Sequence, residues 1–185
     1  MSSRHVSFLR LFFCLGAVCG ALLLGGCVSN ATPSSMVPTS LPSVTKHAGS
    51  VSLNVTGSPQ VSSMGVAIIK TDDFAGAIKT AITQSEVFAK LVPAGEADDF
   101  HLEVLLVRID QPMFGFNMTV TVESSWLLTH SSDKSVIWQK AVISTYTATT
   151  GDAFVGATRV RLANEGAART NIQDALKIIG ALPLP

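Results

Sequence analysis

Three stretches in the second half of the chain alternate apolar and polar residues, and this pattern constrains the fold more than any other feature. In the first of them Leu102, Val104 and Leu106 share one face. A period of two is typical of half-buried strands, and short connections make successive strands antiparallel. The sequence therefore predicts an antiparallel meander of three strands, over residues 100–109, 116–128 and 136–146.

Two other stretches have apolar residues at helical spacing. In residues 73–91 the apolar positions include Phe74, Ile78, Ile82 and Phe88, and Pro93 follows as a stop. The second stretch, residues 157–180, places Gly166, Ala167 and Ala168 where a helix can approach a sheet closely, and Gly180 and Pro183 end it. We predict one helix over each stretch.

An earlier alternating run, residues 51–56, predicts one more strand, whereas residues 65–70 fit either a short strand or a buried lead-in. The order is then β-α-β-β-β-α. This order predicts an α+β two-layer sandwich, with a mainly antiparallel sheet of about four strands and two helices on one face. We expect Phe88, Val122 and Trp126 to be buried between the layers.

The chain before this region changes in composition. Residues 28–49 are rich in Ser, Thr and Pro and have neither hydrophobic period. Such a composition buries too little apolar surface to offset the entropy of ordering, so we predict a disordered tether. The predicted organisation is a signal peptide over 1–26, an anchor and tether over 27–49, and a single α+β domain over 50–185.

The signal peptide is predicted from the first 26 residues. Arg4 and Arg10 precede an uncharged apolar run that is shorter than the roughly 20 residues a membrane-spanning helix needs. A basic start, a short apolar core and small residues before a cut site are typical of a secretory leader. The run closes on Leu24-Gly25-Gly26-Cys27.

These four residues resemble the lipobox of bacterial lipoproteins. The resemblance implies that the Cys27 thiol carries diacylglycerol, that the leader is removed before it, and that the new amino terminus is acylated. Val28 follows where inner-membrane lipoproteins of enteric bacteria commonly have aspartate, which implies the periplasmic face of the outer membrane. The alternative is an ordinary secreted protein with a free Cys27.

The domain itself resembles small Gram-negative lipoproteins of the YajG type and the lipopolysaccharide-transport lipoprotein. The likeness covers residues 51–182 and rests on element order and on the sequence segments FAGAIKTAITQSEVF and DFHLEVLLVRI. It implies a fold more than a function, because these segments contain no set of reactive residues.

The sequence predicts no enzyme and no cofactor beyond the acyl chains on Cys27. His101 and Glu103 share a strand face, but a zinc site needs three or four ligands, so we expect no metal. The loop from Gly151 to Gly156 lacks a phosphate-binding motif. Lysine and arginine number 13, as do aspartate and glutamate, which argues against nucleic acid as a partner.

The predicted function is a non-catalytic accessory or binding module of envelope assembly or transport, with an envelope protein as partner. Carriage of a lipid or other apolar ligand is the alternative, and an envelope hydrolase is a third hypothesis. The proposed contact for a partner or membrane is the loop containing Pro112, Met113 and Phe114, which is unusually apolar for a hairpin connection. It either projects into solvent or folds back with Phe114 as a lid over the sheet.

Overall fold

The computed structural model of the protein describes residues 30–40, 45–57 and 68–184, so the predicted leader and Cys27 lie outside the described residues. The elements run α1 Pro33–Met36, β1 His47–Gly57, α2 Thr71–Ser85, β2 Phe88–Val92, β3 Phe100–Asp110, β4 Met118–His130, β5 Val136–Ala148 and α3 Gly156–Ile179. Among these helices, none has the length and apolar character that crossing a membrane requires.

The strands form one mixed sheet in the order β2-β1-β3-β4-β5. The pairs β3·β4 and β4·β5 are antiparallel, which confirms the predicted meander. Strand β1 instead pairs parallel with both β2 and β3. The α+β class is thus confirmed, but the sheet has five strands rather than about four, and three helices are described rather than two.

The fifth strand, β2, lies where the first helix was predicted to continue to residue 91. Helix α2 ends at Ser85, because Glu86 adopts a left-handed conformation with φ 51° and ψ 30°, and its N–H donates to the Ile82 carbonyl. Beyond it, Phe88 is buried and the segment pairs with β1. Apolar spacing alone did not distinguish a helix from a strand here, because Phe88 and Leu91 fit a helical face as well as a strand.

Helix α3 packs on β4 and β5, whereas α2 packs on β1 and β2. Burial alternates along β4, so that its even-numbered residues from Met118 to Leu128 face the helices. Phe88, Val122 and Trp126 are all buried, as predicted. The opposite face of the meander remains accessible and includes Leu105 and Ile143 among its exposed apolar residues.

Helix α3 approaches the sheet closely at Gly166. A Cβ atom added there would lie 2.4 Å from the ring of Tyr146 on β5, which is closer than real Cβ contacts allow. The aromatic ring therefore occupies the space that a side chain would take. This contact agrees with the expectation that small residues let this helix pack tightly.

A disordered tether was predicted over 27–49, but the described parts of it, residues 30–40 and 45–49, are ordered against the domain. Residues 30–40 lie along the helices, with Ala31 and Met36 buried, and β1 already begins at His47. The Ser35 carbonyl accepts a hydrogen bond of 2.9 Å from Arg169 on α3. The polar composition concealed this packing, because two apolar side chains and a few hydrogen bonds to α3 suffice to place the segment.

Residues 68–70 precede α2 without regular structure, and Ile69 is buried among them. This part of the stretch 65–70 therefore follows the buried lead-in interpretation rather than the strand. Residues 65–67 lie outside the described part of the chain.

Candidate functional site

Two loops meet at one end of the sheet. Residues 111–117 connect β3 to β4, and residues 149–155 connect β5 to α3. Because β3 and β5 both run antiparallel to β4, the ends of β3 and β5 lie beside the start of β4. The fold therefore brings the two loops together although they are far apart in sequence.

These loops carry the largest exposed apolar side chains at this end of the molecule. Phe114, Phe116 and Phe154 are 85%, 84% and 94% exposed, and Met113 and Val155 are 62% and 58% exposed. We call these five residues the apolar tip. Phe114 projects into solvent and does not fold back as a lid, while the neighbouring Pro112 is half-buried.

Arg159, in the first turns of α3, holds the two loops together. Its guanidinium donates to the carbonyl oxygens of Ala153 and Phe154 at 2.8 and 2.7 Å, and to that of Gly115 at 3.2 Å. Arg159 is itself buried. Gly115 has φ 150°, a conformation that side chains disfavour, so a glycine suits this turn.

The loops contain one charged residue, Asp152. Its carboxylate accepts hydrogen bonds from the Thr149 N–H at 2.7 Å and from the Thr149 hydroxyl at 2.9 Å. These bonds lower the pKa of Asp152, because they stabilise the charged form. The Asp152 carboxylate is thus hydrogen-bonded within its own turn, and the five residues of the apolar tip are themselves uncharged.

The opposite end of the sheet is polar. A cleft of about 660 Å³ is lined there by Asp98, Asp99, His130 and Lys134, among others. Asp99 accepts hydrogen bonds of 2.7 Å from both the N–H and the hydroxyl of Ser50, which lower its pKa below the ordinary value. The two ends of the domain therefore differ sharply in chemistry.

His101, which shares a strand face with Glu103, and the buried His47 both contact neighbouring protein groups. His101 Nδ1 lies 2.7 Å from the Ser52 hydroxyl, and its Nε2 lies 3.4 Å from Glu103. His47 is buried, with Nε2 3.0 Å from the Ile179 carbonyl. Across the described ranges, no three or more His, Cys, Asp or Glu residues are grouped so as to hold a metal ion.

Large side chains fill the layer between sheet and helices, where an apolar ligand of a carrier would have to lie. Trp126, Phe74, Leu102 and Ile172 are among those fully buried there. The polar groups in this layer bind one another: the Ser124 hydroxyl accepts from Trp126 Nε1 at 2.7 Å and donates to Asn171 Oδ1 at 2.6 Å. Nothing in these contacts favours a carrier over a packed core.

The sequence located one of the two loops of the apolar tip. In the sequence, Phe154 and Val155 belong to a loop that lacks a phosphate-binding motif, and Arg159 belongs to no motif. An adjacent Phe-Val pair between the Gly151-Asp152 turn and a helix was the available signal. The contact between the loops was not visible, because it depends on the order of strands in the sheet.

No protein-family model matches the chain, and no curated protein matches it in sequence. Several solved structures share its fold. A Xanthomonas campestris protein of the family DUF330 superposes with a TM-score of 0.58 at 16% identity, covering 82% of this chain and 94% of that protein.

A minor lipoprotein from Acinetobacter baumannii superposes with a TM-score of 0.50 at 15% identity, covering 71% of this chain and 90% of its own. A PelC variant from Paraburkholderia phytofirmans, solved as a dodecamer, gives 0.50 at 14% identity, covering 77% and 94%. At these identities the likeness concerns the fold alone. The chain therefore has a fold that lipoproteins of Gram-negative bacteria also adopt.

Proposed function

We propose that this protein is a lipoprotein of the Gram-negative envelope, anchored through acyl chains on Cys27 at the periplasmic face of the outer membrane. It acts there as a non-catalytic accessory or binding module of envelope assembly or transport. The lipobox-like sequence Leu24-Gly25-Gly26-Cys27 and the fold shared with solved lipoproteins support the location.

The observation that carries the binding role is the apolar tip. Five large apolar side chains protrude from two loops that Arg159 joins to a well-packed helix. Monomeric soluble proteins rarely gather apolar side chains on their surface without an interaction to cover them. The domain thus presents a docking surface on a firm scaffold, as an accessory module requires.

The location is tested by separating inner and outer membranes of a Gram-negative host on a density gradient. Wild-type protein is expected in the outer-membrane fraction, and Cys27→Ser should leave that fraction, because the acyl chains supply stable anchoring. A matched change in the leader, Cys19→Ser, should have no effect. A Cys27→Ser protein that still fractionates with the outer membrane would contradict the proposed anchor.

The binding role is tested by chemical cross-linking in intact cells, followed by mass spectrometry of the proteins and lipids joined to the domain. Cross-links from the domain to envelope components, lost or reduced when the apolar tip is changed, would support a binding module. Purified protein that turns over an envelope polymer without any partner would contradict the non-catalytic role.

A further inference from the structure

The apolar tip is a protruding surface rather than a groove. Its three phenylalanines are each more than four-fifths exposed, and they come from two separate loops. A protein partner would need a pocket for each ring, whereas the interfacial layer of a bilayer accepts protruding aromatic and apolar side chains without such a match. The near absence of charge in the loops favours the lipid surface further.

The course of the amino-terminal segment shows which end of the domain faces an anchor at Cys27. The Thr45 N–H contacts the Gly180 carbonyl, the Ser35 carbonyl accepts from Arg169, and the Thr32 N–H donates to Glu165. Thr45, Ser35 and Thr32 therefore contact successively earlier positions, from the C-cap of α3 towards its amino terminus. That terminus, Gly156, adjoins the apolar tip.

The remaining distance is short enough for the chain to cover. Glu165 lies nine residues after Gly156, which is roughly 13 Å along a helix. Thr32 lies five positions after Cys27, and an extended chain of five residues spans up to about 17 Å. Cys27 can therefore reach the level of the apolar tip, and its acyl chains hold that end of the domain close to the membrane.

We infer that the apolar tip inserts into the interfacial layer of the same phospholipid membrane that holds the Cys27 anchor. This inference rests on the proposed lipid anchor. It gives the domain a fixed orientation: the cleft lined by Asp98 and Asp99 faces away from the membrane, at the far end of β3. A strand of this length spans roughly 35 Å.

The test places a photo-reactive benzoylphenylalanine at Met113, which is exposed and leaves all three phenylalanines intact. The acylated full chain is purified in detergent and reconstituted into vesicles of phosphatidylethanolamine and phosphatidylglycerol. Illumination should join position 113 to phospholipid. The same group at Glu96, an exposed residue at the opposite end of the sheet, should give little lipid adduct.

A second measurement uses the triple variant Phe114→Ser/Phe116→Ser/Phe154→Ser with the reporter at position 113. Lipid adduct should fall by about tenfold or more, because each ring transferred from water to an apolar layer contributes substantially to binding. Ile143→Ser is the matched control, since it removes an exposed apolar side chain from the sheet face. Its adduct yield should not change.

Equal lipid adduct at positions 113 and 96, or no lipid adduct at 113 in acylated protein, would overturn the inference. Protein adducts in place of lipid adducts at position 113 in intact cells would overturn it as well.

The mass of the purified protein reports the anchor separately. If Cys27 carries no acyl group, its thiol is coupled to a maleimide lipid in the vesicles, and the same reporters then decide the role of the apolar tip alone.

Discussion

The guanidinium of Arg159 lies 3.2 Å from the carbonyl oxygen of Gly115, a residue 44 positions earlier in the chain. The same guanidinium binds two carbonyls of the second loop. One buried side chain therefore organises both halves of the apolar tip. It does so from a helix whose position is fixed by packing on the sheet.

Replacing Arg159 with methionine should loosen both loops. The three carbonyls lose a charged donor, and the free energy of unfolding should fall by about 1–3 kcal/mol. Hydrogen exchange should accelerate in residues 111–117 and 149–155. Arg161→Met is the control, because Arg161 pairs with Glu165 at 2.9 Å and should affect residues 30–36 instead. Unchanged exchange in both loops of Arg159→Met would contradict this role.

Substitution of Gly166 tests the close approach of α3 to β5. Gly166→Ala places a Cβ atom against the Tyr146 ring and should cost about 1–3 kcal/mol of stability through overpacking. Gly76→Ala on α2 is the matched control, since its nearest neighbour would be Pro33 Cβ at 3.8 Å. It should stabilise the protein by up to about 1 kcal/mol, because alanine favours helix. Equal melting temperatures for the two variants would disprove the contact.

The buried amide of Asn171 is expected to stabilise the fold through its hydrogen bonds. Its Nδ2 donates to the Val142 carbonyl at 2.9 Å, and its Oδ1 accepts from the Ser124 hydroxyl. Asn171→Leu removes the donor to the Val142 carbonyl and the acceptor of the Ser124 hydroxyl, although Ser124 still accepts from Trp126 Nε1. The substitution should lower the free energy of unfolding in urea by about 1–3 kcal/mol for each bond lost. A more stable Asn171→Leu protein would show that the network is dispensable.

Acid should weaken the polar end of the domain. The hydrogen bonds from Ser50 lower the pKa of Asp99 in the folded protein below the ordinary value of 3.8, which the unfolded chain keeps. The resulting stability is present above that value and is lost as the pH falls through the folded pKa. The melting temperature of Asp99→Asn should therefore fall less between pH 6 and pH 3 than that of wild type. Ser50→Ala, which keeps the N–H donor, should be intermediate, and identical profiles for all three proteins would contradict this account.

Local pattern predicted much of this fold. Helix α3 was expected over 157–180 and spans Gly156–Ile179, and the three meander strands lie within a few residues of their predicted bounds. Both follow from hydrophobic periods that persist over many residues. Such periods show which face of an element is buried, so they predict the type and the position of the element.

The errors concern information that local pattern does not contain. Strand β2 is stabilised by pairing with β1, a partner some forty residues away, so its sequence alone resembled the end of α2. Residues 30–40 are placed by contacts with α3, which lies more than a hundred positions later. In both cases tertiary contacts determine the structure of a segment whose local sequence has only a weak structural preference.

Only one of the two loops of the candidate site was predicted from the sequence. Pro112, Met113 and Phe114 are visible in the sequence as a candidate contact, because apolar residues are unusual in a hairpin loop. Their exposure and their union with Phe154 through Arg159 depend on sheet order, which the sequence did not reveal. Their role in contact with a partner or membrane stays a prediction.

The lipid anchor on Cys27 is tested by the mass of the amino-terminal peptide. The protein is extracted from the membranes of a Gram-negative host, digested, and analysed together with Cys27→Ser. We predict a chain that begins at Cys27 and carries diacylglycerol on sulfur and a fatty acid on nitrogen, with no acyl group in Cys27→Ser. A mature terminus elsewhere, an unmodified Cys27, or acylation that persists in Cys27→Ser would show that Cys27 is not the lipid anchor.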